Sequence, residues 1–412
     1  MKKSTLIHAA VLLFICMGCG RTMQIEVINP TDTDRLLELI EIPLDEIQSR
    51  LDLSENETFV LLDGHDTIPC QITFDRDVLF PCALNGNEKR RFEFKAGVPS
   101  EPVVKVCGAH YPERVDDICW ENDIVGFRVY GFKEDKPSGY DIFTKKNTDL
   151  PVIPAMYRKA LDPQARKLEN EIRKEFGKDS AARFNNRRSF HIDHGFGADF
   201  YAVGPTLGAG TSALLDGDQI VYPACYDSFE ILDNGPLRFT LKLTFRPVKV
   251  GDCENIVETR YISLDLGSHF TRTEVTFEGI DRPMPIVTGI VVQDTDGKAV
   301  GDASKGYIAY PSPTMNFDKF NDIDNGMVYM GNVFPHELEK AGIRYFSDAE
   351  SLVRGGSKGH ILAHSTYEPD KPFVYYWGFC WNKVDMTSYG QWLEHLERYS
   401  AQLKNPLILK IK

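Results

Sequence analysis

The sequence predicts a mainly β fold, and three observations carry that expectation. Apolar and polar residues alternate in runs such as 239–245 (FTLKLTF) and 90–95 (RRFEFK), the period-two pattern of a strand with one wet face. Asp63-Gly64 and Asn85-Gly86 punctuate those runs where tight turns are needed. Helix-period stretches are few. They are a short one at 45–50, a charged one at 157–176 ahead of Gly177, and an amphipathic one at 388–403 with Trp392, Leu396, Tyr399 and Leu403 along its stripe.

Taken in order, strands are expected at 22–28, 36–43, 59–63, 67–73, 77–80 and 90–95, which make an N-terminal β-sandwich over residues 19–108. Residues 109–412 form the second body. Strands are expected there at 124–130 and 141–144, then, after the charged helix, at 237–246, 256–264, 270–277, 286–293, 307–310, 327–333, 360–367 and 372–377. Long alternating strands imply antiparallel sheets, so the second body reads as a larger β-supersandwich with a few helices, similar to galactose-mutarotase-like carbohydrate proteins.

The first residues have a different character. Lys2 and Lys3 precede an apolar run from Leu6 to Met17, interrupted only by His8. Such a run is too short to span a bilayer and suits the core of a signal peptide. Gly18 directly before Cys19 fits lipoprotein processing. Residues 1–18 are therefore expected to be removed and Cys19 to be lipidated, anchoring the protein in the cell envelope. The residues after Cys19 carry no acidic cluster, which favours a periplasm-facing anchor over the cell surface.

A hydrophobic share of 42% supports a full core, and the net charge of −13 argues against nucleic acid as a partner. Seven cysteines follow Cys19, with no CxxC and no Cys/His zinc spacing. An odd count leaves at least one thiol free, and Cys70 with Cys82 is the first pair to check for a disulfide.

Two segments depart from plain strands and turns. In 116–131, Asp116, Asp117, Glu121 and Asp123 surround Trp120 just before a strand, and Arg128 and Tyr130 share a face of that strand. A tryptophan can stack on a sugar, and a guanidinium can fork onto a carboxylate. Trp120, Glu121, Asp123, Arg128 and Tyr130, with Arg188, are the expected substrate-binding residues. A Trp core anchor with turn-capping carboxylates explains the same residues structurally.

The second segment, 189–210, packs His191, Asp193, His194, Asp199, Tyr201 and five glycines together. Histidine and aspartate can orient one another for proton transfer, and glycines allow close backbone approach. His191, Asp193, His194, Asp199 and Tyr201 are therefore the expected catalytic residues. The His/Asp set can also hold a divalent metal, although it matches no strong metal signature. Tyr375, Tyr376, Trp377 and Trp381 form a late aromatic cluster suited to core packing.

At these residues the sequence resembles the domain-of-unknown-function family 4861. The matching stretches are 117–123 with 127–131, 191–197, 203–210, 231–238 and 375–378. The resemblance implies an exported protein encoded among genes for degrading pectin-like, uronate-rich plant glycans. It implies no catalytic residues. The expected function is thus a glycoside hydrolase or polysaccharide lyase acting on an acidic oligosaccharide or polysaccharide. The alternative is a non-catalytic glycan-binding lipoprotein.

Overall fold

A computed structural model of the chain describes residues 21–54, 56–131, 139–146 and 150–412. Residues 1–18, expected to be a signal peptide, and Cys19 lie outside the described residues. Among the described residues no helix is long and apolar enough to cross a membrane.

The fold is mainly β, as expected. The N-terminal sandwich has a five-stranded sheet in the order Ile408–Ile411, Thr22–Ile28, Lys89–Ala96, Phe59–Asp63, Asp66–Ile68, and a three-stranded sheet of Arg35–Pro43, Asp77–Leu84 and Gln71–Ile72. Alternation puts Met23, Ile25, Val27, Phe92 and Phe94 on one inner face and Ile40, Ile42, Val78 and Phe80 on the other, with the helix Leu44–Leu51 closing an end. One strand comes from the far end of the chain: Ile411 pairs with Ile25 and Ile408 with Ile28. A boundary at residue 108 therefore leaves out a strand of the sandwich.

The expected single strand at 67–73 is two short ones in different sheets, separated at Pro69-Cys70. Proline has no N–H for a ladder, so the chain crosses sheets there. Cys70 sits at that crossover while Cys82 is buried in the sandwich, and all seven described cysteines are free thiols. Burial pushes both thiols up to about 12, so neither is a thiolate at neutral pH. Asp63-Gly64 turns a hairpin as expected, whereas Asn85-Gly86 links strands in opposite sheets.

The second body has three sheets, all laddered antiparallel. A nine-stranded sheet includes Arg238–Thr244, Cys253–Asp265, Phe270–Glu278, Phe373–Trp381 and Met327–Val333. A five-stranded sheet centred on Met284–Val292 shares its core. A smaller sheet runs Gly197–Ala198, Asp141–Lys145, Gly126–Val129, Asp117–Glu121, Cys107–Tyr111. Its inner face, with Ile118, Trp120, Phe127 and Ile142, joins that same core. Its outer face is covered by the helix Ile153–Leu161, through Ile153 and Tyr157, and by Phe190 from the loop that follows the helix Pro163–Asn186.

Gly177 ends a helical segment as expected: at φ +85° and ψ 176° its backbone is not helical, and a second segment continues beyond the kink to Asn186. The single helix expected over 157–176 is instead broken at Asp162-Pro163, where one helix stops at Leu161 and the next starts. The C-terminal helix Tyr389–Lys404 starts at a Ser388/Gln391 capping box and lies on the nine-stranded sheet through Trp392 and Leu396.

Candidate active site

The outer face of the small sheet is built by strand alternation. Arg128 sits opposite Asp141 on one neighbouring strand and Cys119 on the other, so Asp117, Cys119, Glu121, Arg128, Asp141 and Lys145 all point toward the covering helices. This face is charged, yet it is sealed. Arg128 is 2% exposed, and Asp117, Asp141 and Asp199 are each at most 1% exposed.

Arg128 is the hub. Its Nε donates to Asp141 Oδ2 at 2.9 Å and its Nη2 to Asp199 Oδ2 at 2.6 Å. Nη2 also reaches the Tyr130 hydroxyl at 2.7 Å, and Nη1 reaches the Tyr157 hydroxyl at 3.2 Å. Asp117 lies 3.7 Å from Nη1 and accepts from Tyr157 at 2.9 Å. Three carboxylates thus surround one guanidinium in a dry site. Such a cluster carries excess negative charge, which burial disfavours, so Asp117 and Asp141 hold their protons to higher pH than an exposed carboxyl does. Burial pushes Asp141 up to about 6, Arg128 opposes that rise, and the nearby Asp199 carboxylate adds to it.

A pH dependence follows. A carboxyl whose folded-state value exceeds its ordinary 3.8 holds its proton more tightly in the folded protein. Its contribution to stability is full below about pH 4 and is lost as the pH rises through about 6. Asp141→Asn, which cannot titrate, is expected to remove this fall. Denaturation midpoints of both proteins at pH 4, 5, 6 and 7 check it. Parallel curves would overturn the protonated-cluster reading.

The cluster opens to solvent at one residue. His191 Nδ1 lies 3.3 Å from Asp199 Oδ2 and 3.2 Å from the Asp199 carbonyl. Its Nε2 has no hydrogen-bond partner among the described residues. The backbone creates this pairing, because the Asp199 amide donates to the Phe190 carbonyl and folds the glycine-rich loop back on itself. Phe190 stacks on Tyr157 at 5.0 Å and ties the loop to the helix. Within the loop, Asp193 Oδ1 accepts the amides of Gly195 and Gly197, and its other oxygen meets Lys146 Nζ at 3.0 Å. Burial opposes ionisation of Asp193, but the Gly197 amide, Lys146 and the Gly195 amide outweigh it and hold the carboxyl below the ordinary range. Gly197 is required as glycine: at φ +96° a Cβ would lie 2.1 Å from the Thr144 carbonyl.

His191 lines two cavities. One, of about 370 Å³, is lined by Lys146, Asp193, Asn316, Asp318, Asp324 and Lys383, with Phe200 and Trp381 on its floor. The other, of about 390 Å³, lies on the helix side against Arg114, Arg166 and Arg188. Loop 314–326 completes the first cavity, and Trp381 Nε1 holds it by donating to the Asn325 carbonyl at 2.7 Å. Lys146, Lys383 and the residues of this loop were not among the expected site residues. The available signal was a 13-residue Asn/Asp-rich stretch between two strands, longer than a hairpin needs.

Other expected residues lie elsewhere. Trp120 is fully buried, its Nε1 donates to Thr271 Oγ1 at 3.2 Å, and it has no face for a sugar. Glu121 accepts from Lys145 Nζ at 2.6 Å and from the Val152 and Ile153 amides, so it caps the helix Ile153–Leu161. Asp123 accepts the Gly267 amide at 2.8 Å. Tyr130 belongs to the sealed cluster, donating to Asp141 at 2.5 Å. His194 is exposed and bonds the Ser189 carbonyl. Tyr201 is 5% exposed and its hydroxyl has no partner among the described residues; burial pushes it well up. Tyr375 and Trp377 are fully buried, which removes the aromatic platform that a flat binding face would need. Among the described residues no three His, Cys, Asp or Glu side chains come together to hold a metal ion. Asp193 is engaged by its own turn and His194 by Ser189, so the four expected donors do not converge.

Fold and site define a layered, mainly β protein in which a sealed Arg/Asp cluster backs one histidine between two polar cavities. The chain belongs to the family described as Domain of unknown function (DUF4861), which matches residues 27–409. Uncharacterized protein P7 of Formosa agariphila is 26% identical over 401 residues, covering 94% of this chain and 93% of that protein. Among solved structures, an alpha-mannosidase from Enterococcus faecalis V583 is similar with a TM-score of 0.46 at 8% identity, over 95% of this chain and 46% of that one. A protein in the Glycosyl Hydrolase Family 38 from the same species gives 0.42 at 7% identity, over 95% and 47%. The chain spans about half the length of these two structures.

Proposed function

We propose that this protein is an exported lipoprotein, anchored through Cys19 on the periplasmic side, that cleaves uronate-rich, pectin-like glycans with His191 as the proton-transfer group. The observation that carries the reading is the chain His191–Asp199–Arg128. It fixes an imidazole by its Nδ1 side and leaves Nε2 unpaired at the wall of a polar cavity. A base must reach its proton from such a position, and an orienting carboxylate behind it is the usual arrangement.

Elimination suits this cavity. Nε2 takes the proton from the carbon next to the uronate carboxylate. The C–H bond breaks, the carbon–carbon double bond forms, and the glycosidic carbon–oxygen bond breaks; the leaving oxygen takes a proton from water and the imidazolium returns its own to solvent. Lys146 and Lys383 are the cations of the cavity wall, each beside a carboxylate, Asp193 at 3.0 Å and Asp324 at 3.3 Å; turned to the uronate carboxylate they make that proton more acidic. A second reading is hydrolysis, favoured by Asp193, Asp318 and Asp324 in the same cavity, since a hydrolase needs two carboxylates at the bond.

A product assay on pectic and other uronate-rich oligosaccharides, followed by ultraviolet absorbance and mass spectrometry, tests both. An absorbing, unsaturated product establishes elimination. Products heavier by one water establish hydrolysis and move the catalytic assignment to the cavity aspartates. Binding without turnover on every substrate overturns the enzyme reading.

A further inference from the structure

The helix-side cavity is not used by that chemistry, and its charge is opposite to that of the chain. Its wall holds three guanidiniums, Arg114, Arg166 and Arg188, and one carboxylate, Glu169. The whole chain carries a net charge of −13. Neither Arg114 nor Arg166 has an acidic partner within ion-pair distance among the described residues, and Glu169 is shared between Arg188 at 2.9 Å and Arg173 at 2.7 Å. Arg188 is 7% exposed and is held in place by the Ala160 carbonyl at 2.8 Å, while its Nε has no partner. Arg188 thus keeps donor capacity beyond its pair with Glu169, and the two arginines beside it have no acidic partner among the described residues, so the wall has guanidinium donors to offer an oxyanion.

We propose that this cavity is a subsite for an oxyanion on the glycan, a carboxylate or a sulfate ester, on the sugar adjoining the one at His191. His191 lines both cavities, so a chain that places one sugar against the imidazole extends its neighbour toward the arginines. The inference rests on the reading of His191 as the reacting group, and it adds a requirement: the preferred substrate carries a second negative charge one sugar away. Asn170 and Asn185 lie on the same wall.

Titration calorimetry with an oligogalacturonate, its methyl ester and a sulfated galactan oligosaccharide tests the subsite. The variants are Arg114→Gln/Arg166→Gln, which leaves the buried arginine in place, and Arg188→Lys. Wild-type protein is expected to bind an acidic oligosaccharide about tenfold or more tightly than the methyl ester, and the double variant to lose that difference. The tighter of the carboxylated and sulfated ligands identifies the oxyanion. Equal binding of ester and acid in the wild type, or unchanged acid binding in the double variant, overturns the subsite even if turnover is observed. Loss of acid binding in the variant without turnover on any substrate keeps the subsite and overturns the catalytic reading of His191.

Discussion

Arg128→Met is expected to destabilise the protein by about 3–5 kcal/mol, the penalty for stranding buried charge when one partner is removed. Here the stranded charge is larger than in a simple pair. Asp117, Asp141 and Asp199 are within 4 Å of this one guanidinium, none is more than 1% exposed, and the Tyr130 and Tyr157 hydroxyls lose a donor as well. Methionine has similar length, so the loss reports charge more than volume. Arg128→Lys keeps the charge but not the fork that reaches Asp141 and Asp199 together, and an intermediate loss is expected. Urea midpoints for the three proteins decide the matter. A midpoint for Arg128→Met equal to that of the wild type would mean that the carboxyls stay neutral without the arginine.

The second large effect concerns turnover. His191→Ala is expected to lower kcat by about 10²–10⁴-fold, the usual contribution of a positioned base or acid. The fold should survive, because the ring is 31% exposed at its side chain and its neighbours Phe190 and Phe317 make their own contacts. His194→Ala is the control. That ring lies outside both cavities, so its kcat and KM should match the wild type. Asp199→Asn separates positioning from chemistry: kcat should fall while KM changes little, since Asp199 touches His191 and Arg128 rather than a cavity. Equal losses for His191→Ala and His194→Ala would point to loop disruption instead.

Strand identity was legible because alternation is local. Thr22–Ile28, Phe59–Asp63 and Met327–Val333 follow from residues within a few positions of one another, and so does the capping box that starts the helix after Ser388. The importance of 116–131 and 189–210 was also legible, since both concentrate polar side chains where a strand needs few. Their roles were not. Trp120 and Arg128 lie on opposite faces of one sheet, and nothing local says that the Trp120 face meets Phe239 and Trp377 while the Arg128 face meets a helix.

The sequence by itself determined a β-rich, layered protein, the family resemblance and the pairing of a histidine with an aspartate in a glycine-rich loop. Only the tertiary structure decided where each of those residues lies and what it touches. Burial turned Glu121 into a helix cap and Tyr201 into core, and it converted Arg128 from an expected sugar ligand into the hub that fixes Asp199. Distant segments supplied the rest: residues 408–411 complete the first sheet, and loop 314–326 with Lys383 completes the cavity beside His191. The physical reason is range. Backbone pattern is set by neighbours in sequence, whereas desolvation, which decides whether a charged group binds a ligand or a neighbouring side chain, is set by whatever packs over it.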